Sequence, residues 1–297
     1  MSRTVDAIVT DMSYTECPRW HEGRIWFSDF YTYAVYSAAE DGSDLRVEAD
    51  VPQQPSGIGW LPDGRLLIVS MRDRKVLRRE ADGTLVTHAD LSDLVGGHVN
   101  DMVVDERGRA FIGEFGFDLM GGSPLETGVL VRVDPDGTAT TVADDLWFPN
   151  GAVITADETL LVCETFANRV TAFDIAADGS LTNRRVWASF GDQPTEVELE
   201  SMLPQIKVAS DGCCLDADGA LWIADAVNGR LLRVREGGEI AEELPADSGV
   251  FACMLGGRDG RTLFISAAPD FHEDARKQAR EASLRTTRVE TPHAGLP

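Results

Sequence analysis

The chain has 297 residues, 43 % of them hydrophobic and 26 % charged, with a formal net charge of −23; such a composition can bury a sizeable core and suits a soluble globular protein. The acidity excludes nucleic-acid and acidic-membrane partners, which need positive charge to displace counterions. No stretch reaches the ~18 apolar residues of a membrane span, and the N-terminus MSRTVDAIVTDMSYTE has no apolar run long enough for a signal peptide.

In chain order, a first strand is expected around Val5–Val9. Six hairpin-like segments follow: ECPRWHEGRIWFSD from Glu16, SGIGWLPDGRLLIVS from Ser56, NDMVVDERGRAFIGE from Asn100, NGAVITADETLLVCE from Asn150, DGCCLDADGALWIAD from Asp211 and FACMLGGRDGRTLFIS from Phe251. Each has a head residue, a short apolar strand, a polar turn and a strongly apolar second strand, which predicts a β-hairpin. Several continue into a third strand, as in NRVTAFDIAADGSL after Ala167 and GRLLRVREGGEI after Asn228. The longest interval holds GDQPTEVELESMLPQIKVAS (191–210), read either as a lid over the mouth or as a surface loop. Near the C-terminus EDARKQAREASL reads as a helix or a charged loop, and a closing strand is expected over Leu284–Glu290.

Six copies at intervals of roughly 40–60 residues predict an all-β chain, a six-bladed β-propeller with a central metal site, formed by residues 1–297 as one domain. Two stacked β-sandwiches are the structural alternative, but they do not predict six heads in matching phase. In a propeller the first strand of every blade lines the channel, so the heads Glu16, Ser56, Asn100, Asn150, Asp211 and Phe251 form a ring at one mouth. Four of them carry carboxylate or amide oxygens. Convergent Glu, Asp and Asn oxygens are hard ligands and suit one divalent cation, Ca²⁺ first, with Mg²⁺, Mn²⁺ or Zn²⁺ as alternatives. The five histidines do not cluster. The five cysteines (Cys17, Cys163, Cys213, Cys214, Cys253) show no zinc-type spacing and are expected to be small buried hydrophobes in a reducing, cytoplasmic setting.

These segments resemble the senescence marker protein/regucalcin and gluconolactonase family of six-bladed propellers. ECPRW looks like that family's E-[SG]-P-x-W start, which implies Glu16 as a metal ligand. FPNGAVI is similar to its S/P-N-G motif and implies Asn150 as a second. SDGCCLDADGALWIA resembles P-D-G-x-x-x-D-x-x-G-x-L-W and implies Asp211 as ligand and base. VNDMVVDERGRAFIGE resembles N-D-x-x-x-D-x-x-G-R and places Asn100 at the substrate or the metal. The resemblance covers about residues 10–290. Two departures point away from an aldonolactone substrate: His98 stands where sugar-lactone members often carry Arg, and Gly113–Glu126 is aromatic and glycine-rich rather than polar. Asp118 lies near an acidic substrate contact of some members.

The resemblance implies hydrolysis of a lactone (a sugar lactone or another cyclic or carboxylic ester), or, in some branches, of a phosphotriester. Ester hydrolysis also follows from the residue chemistry, with a cation polarising the carbonyl and Asp211 activating water. His98 and Asn100, two apart on an extended segment, both face the mouth on this reading; a backbone-bonded loop histidine is the alternative. Trp147 and Phe148 are expected at the mouth or in the core. A small-molecule substrate and a monomer or homo-oligomer are expected. The rival readings are a metal-free propeller enzyme similar to strictosidine synthase, and a non-catalytic scaffold with a structural ion. There is no G-x-S-x-G elbow.

Overall fold

All six hairpins form, and each is extended into a four-stranded antiparallel sheet. In the computed structural model, which describes residues 3–297, the sheets are the blades of a six-bladed β-propeller. Their inner strands are Thr15–His21, Pro55–Trp60, Val99–Val104, Pro149–Ile154, Ser210–Leu215 and Gly249–Gly256. Neighbouring inner strands pack around the axis in cyclic order, the first against the last. The inner and second strands are apolar on both faces because each blade is covered by a blade on either side. Phe27, Phe111, Trp222 and Phe264 are fully buried there, each contributing about 1.5–3 kcal/mol by burial. All five cysteines are buried and unpaired. No helix among the described residues is long and apolar enough to cross a membrane.

The hairpin tips explain the repeated turn glycines. Gly23, Gly64, Gly108, Gly219 and Gly260 all have φ between +72° and +84°, while Glu158 takes the same position at φ +60°. The left-handed conformation favours glycine, so the fourth blade holds a mildly strained turn.

Sequence-distant segments close the ring. The outer strand of the sixth blade is Asp6–Met12, paired antiparallel with Ala282–Arg288, with Val9 opposite Leu284. The sequence places this pair correctly but a few residues off at the ends. Trp20 of the first blade stacks on Phe264 of the sixth, with ring centroids 5.5 Å apart. The C-terminal helix is shorter than EDARKQAREASL suggests: it covers Glu273–Ala279 and stops at Arg280, whose φ of +49° ends the helical ladder before strand Ala282–Arg288.

The glycines after three heads have a different role. At Gly151 an added Cβ would lie 2.5 Å from the Asp211 carbonyl oxygen and 2.8 Å from the Cys213 nitrogen. These are backbone atoms of the next blade and cannot swing aside. Gly151→Ala should therefore destabilise by roughly 1–3 kcal/mol, and thermal denaturation will measure it.

Candidate active site

Pairing with the second strand slips at the head of every inner strand. The slips lie between Glu16 and Arg19, Pro55 and Ile58, Val99 and Met102, Pro149 and Ala152, Ser210 and Cys213, and Val250 and Ala252. Such bulges re-aim a side chain out of the regular pleat. Repeated six times, the device brings the heads to one end of the channel. Cys17, beside Glu16, and Phe148, two residues before Asn150, have φ of +49° and +55°, conformations that cost about 1–3 kcal/mol each and persist where the surroundings enforce them.

What enforces them is a second repeat that sequence reading missed. Four second strands end in a fully buried carboxylate that accepts backbone N–H groups just ahead of a head. Asp29 accepts from Tyr14 N (2.9 Å), ahead of Glu16. Glu114 accepts from Gly97 N (2.7 Å), ahead of Asn100. Glu164 accepts from Trp147 N (2.8 Å), ahead of Asn150, and Asp225 from Ala209 N (3.0 Å), ahead of Asp211. The four pinned heads are the four with ligand-type oxygens. The pattern was visible in SD, GE, CE and AD at the ends of the second strands.

Glu16, Asn100, Asn150 and Asp211 line one cavity of about 150 Å³ that opens at the mouth; all four are more than nine-tenths buried. The Glu16 carboxylate accepts the Cys17 N–H at 3.0 Å. Burial, then the negative charge of Asp101, pushes Glu16 up to about 8, against the Cys17 hydrogen bond and Arg19. Burial, then the Glu16 charge, raises Asp211 well above the usual carboxylate range. Arg19 lies deeper in the channel and is engaged by Asp101 at 2.6 Å, both side chains almost fully buried. Glu16 and Asp211 are thus left without an ion-pair partner among the described residues.

The orientation of Asn150 follows from its neighbours. The Thr165 hydroxyl donates to the Ser210 carbonyl (3.0 Å), so its oxygen must accept the Asn150 amide N–H (3.1 Å). That leaves Asn150 Oδ1 without a donor among the described residues. Asn100 Oδ1 accepts from Ser56 Oγ at 3.0 Å. Two carboxylates, one free amide oxygen and a second amide are a donor set that fits a hard divalent cation, whose charge would hold both carboxylates ionised, with water completing its shell.

The other candidates lie elsewhere. His98 is half-buried, with its ring centroid 5.8 Å from that of Phe115, and does not line the cavity. Burial, then Arg72, holds its pKa below the ordinary histidine value. Asp118 is exposed and its carboxylate accepts Gly121 N at 2.8 Å, so it closes its own turn; its neighbours Leu119 and Met120 line the cavity instead. Trp147 packs behind the wall, whereas Phe148 lines it. The 191–210 insertion folds as a short helix, Leu199–Met202, and a single 3₁₀ turn, Leu203–Gln205, and sends Leu199 and Leu203 into the cavity wall. Tyr14, two residues before Glu16, also lines it. Burial, then Glu16 and Asp211, raises its phenol well above the ordinary value, so it remains a hydrogen-bond donor.

A model of the family described as SMP-30/gluconolactonase/LRE-like region matches residues 14–269. Pentonolactonase XacC of Haloferax volcanii is 28 % identical over 275 residues, covering 90 % of this chain and 85 % of that protein. Regucalcin of Danio rerio is 28 % identical over 185 residues, 61 % of this chain and 57 % of that protein. Among solved structures, the calcium-binding protein regucalcin from Agrobacterium tumefaciens superposes with a TM-score of 0.80 at 21 % identity, over 100 % of this chain and 97 % of that one. At that identity the likeness shows the fold alone.

Proposed function

The chain belongs to the SMP-30/gluconolactonase/LRE-like family, and from that premise we propose that it is a divalent-metal-dependent hydrolase of lactones. The observation that carries this reading is the pair of buried carboxylates, Glu16 and Asp211, that share one cavity with Asn150 and have no ion-pair partner among the described residues. The relatives named as lactonases supply the substrate class.

Glu16, Asn150 and Asp211 would hold the cation, with Asn100 beside it. Bound there, a divalent ion would offset the two carboxylates and would polarise the ester carbonyl. Asp211 takes a proton from a water molecule as the water oxygen adds to the carbonyl carbon. The ring C–O bond then breaks, and the ring oxygen recovers a proton from Asp211, giving the hydroxy acid. Asn100 orients the substrate through its amide, and the protonated Tyr14 adds a donor within the cavity.

A panel of lactones and simple esters, assayed with several divalent ions before and after chelation, tests this. Turnover should vanish with chelator and return on adding one of the ions. The ion should also raise the melting temperature by about 4 °C at a hundredfold excess over its dissociation constant. A rise in melting temperature with no turnover under any ion would instead point to a scaffold with a structural ion. Turnover indifferent to chelator would remove the metal from the reaction.

A further inference from the structure

The walls of the cavity differ in kind from its polar end. Each pinned carboxylate is followed by one or two residues that line the cavity: Phe30 and Tyr31 after Asp29, Phe115 after Glu114, Thr165 and Phe166 after Glu164, and Ala226 and Val227 after Asp225. Phe148 completes a cluster with Phe115 and Phe166, at centroid distances of 4.4 and 5.2 Å. The few polar groups on these walls are already engaged. Tyr31 Oη donates to the Phe271 carbonyl, and Thr165 Oγ1 bridges Asn150 and Ser210. Apart from the head residues, Tyr14 is, among the described residues, the one lining side chain with a polar group left to offer. The rim is apolar too: the cavity-lining Met120, Val227 and Phe271 are 48 %, 47 % and 37 % exposed, three of the eight exposed large hydrophobic side chains among the described residues. Exposed apolar side chains rimming a cavity mouth suit a ligand with an apolar part.

We propose that this site takes lactones bearing a hydrocarbon substituent, alkyl or aryl, and rejects polyhydroxylated sugar lactones. The proposal rests on the lactone-hydrolase reading. The ester group needs polar contacts at one point only, and Glu16, Asn100, Asn150, Asp211 and Tyr14 all converge there. Ring substituents must then lie against Phe30, Phe115, Phe148 and Phe166. A hydrocarbon placed there leaves water, which favours binding by about three- to fourfold per methylene. A sugar hydroxyl placed there loses its hydration and finds no partner, at a cost of roughly tenfold or more each. The reaction is the same for both classes: water adds to the carbonyl carbon, the ring C–O bond breaks, and the ring oxygen leaves as a hydroxyl group.

The test compares kcat/KM at saturating divalent ion for dihydrocoumarin and a series of δ-alkyl-δ-lactones against gluconolactone and a pentonolactone. The proposal expects the hydrocarbon lactones to lead by on the order of 10³-fold, with a rise along the alkyl series until the chain reaches the rim. Phe271→Ser should lower kcat/KM for the longest chains about tenfold, mainly through KM. Sugar lactones equal to or ahead of the alkyl series would overturn the proposal and leave the lactone-hydrolase reading standing. If no lactone is cleaved under any ion, that reading fails, and calorimetry decides the cavity's preference separately. Hydroquinolinone, the lactam isostere of dihydrocoumarin, should bind and gluconolactam should not; the opposite order, or neither binding, overturns it.

Discussion

At saturating divalent ion, Asp211→Asn is expected to lower lactone turnover by about 10²–10⁴-fold, the range for loss of a general base, while the protein still folds. The amide keeps the size of the side chain and one ligand oxygen, but it cannot take a proton. Folding should not suffer, because Asp211 is a buried carboxylate with no ion-pair partner among the described residues and its charge is a burden to the ion-free protein. Ion affinity should fall, since one of two neutralising charges is gone, and for that reason the assay must be run at saturation. Glu16→Gln is the control: it removes the same charge from the same cavity but not the proposed base. With enough ion it should recover more activity than Asp211→Asn. Equal and fully restorable losses in both variants would reduce Asp211 to a ligand.

Glu164→Ala is expected to cost about 2–4 kcal/mol of folding stability, somewhat less than stripping one partner from a fully buried ion pair because the Arg169 side chain is one-fifth exposed. Glu164 is completely buried and accepts from Arg169 Nε (2.7 Å) and Nη2 (2.8 Å), from Thr171 Oγ1 and from Trp147 N. Removing it leaves two of the guanidinium's donors, a hydroxyl and a peptide N–H without their acceptor, while Arg169 Nη1 keeps Gln193 Oε1 (2.7 Å). Against a total stability of ~5–15 kcal/mol such a loss is readily seen in urea denaturation. Its effect should also reach the site: Trp147 N holds the segment that carries Phe148, strained at φ +55°, and Asn150. Ion affinity measured well below the unfolding midpoint should therefore drop, with Glu164→Gln intermediate because it retains an acceptor for the N–H. A stability loss with unchanged ion affinity would separate this carboxylate from the site.

The blade count and the ring of heads were legible because both rest on short-range rules. Alternation and turn glycines define each hairpin, and a shared phase puts Glu16, Asn100, Asn150 and Asp211 at one mouth. Closure was legible from the requirement that a ring join its ends. Less was readable where the fold acts across blades. The buried pair Arg19–Asp101 joins residues far apart in sequence, and nothing local in PRW or NDM announces it. Asp118 looked available as an acidic residue near the mouth, yet a turn N–H only three residues away engages it. The aromatic walls were legible only in part, through Phe148 and the aromatic segment Gly113–Glu126. Phe30, Phe115 and Phe166 sit beside the pinned carboxylates, a second repeat as regular as the heads, but aromatic residues after an apolar strand read as ordinary core until the channel geometry turns them inward.

The central claim is that one divalent ion, held by Glu16, Asn150 and Asp211, makes this cavity a lactone hydrolase. The direct measurement is a calorimetric titration of Ca²⁺ into chelator-stripped protein, with lactone hydrolysis assayed at each point and in the Glu16→Gln/Asp211→Asn double variant. The account predicts one ion per chain, hydrolysis rising in step with occupancy, and neither binding nor turnover in the double variant. Undiminished binding in the double variant, or full hydrolysis by the stripped protein, would contradict it.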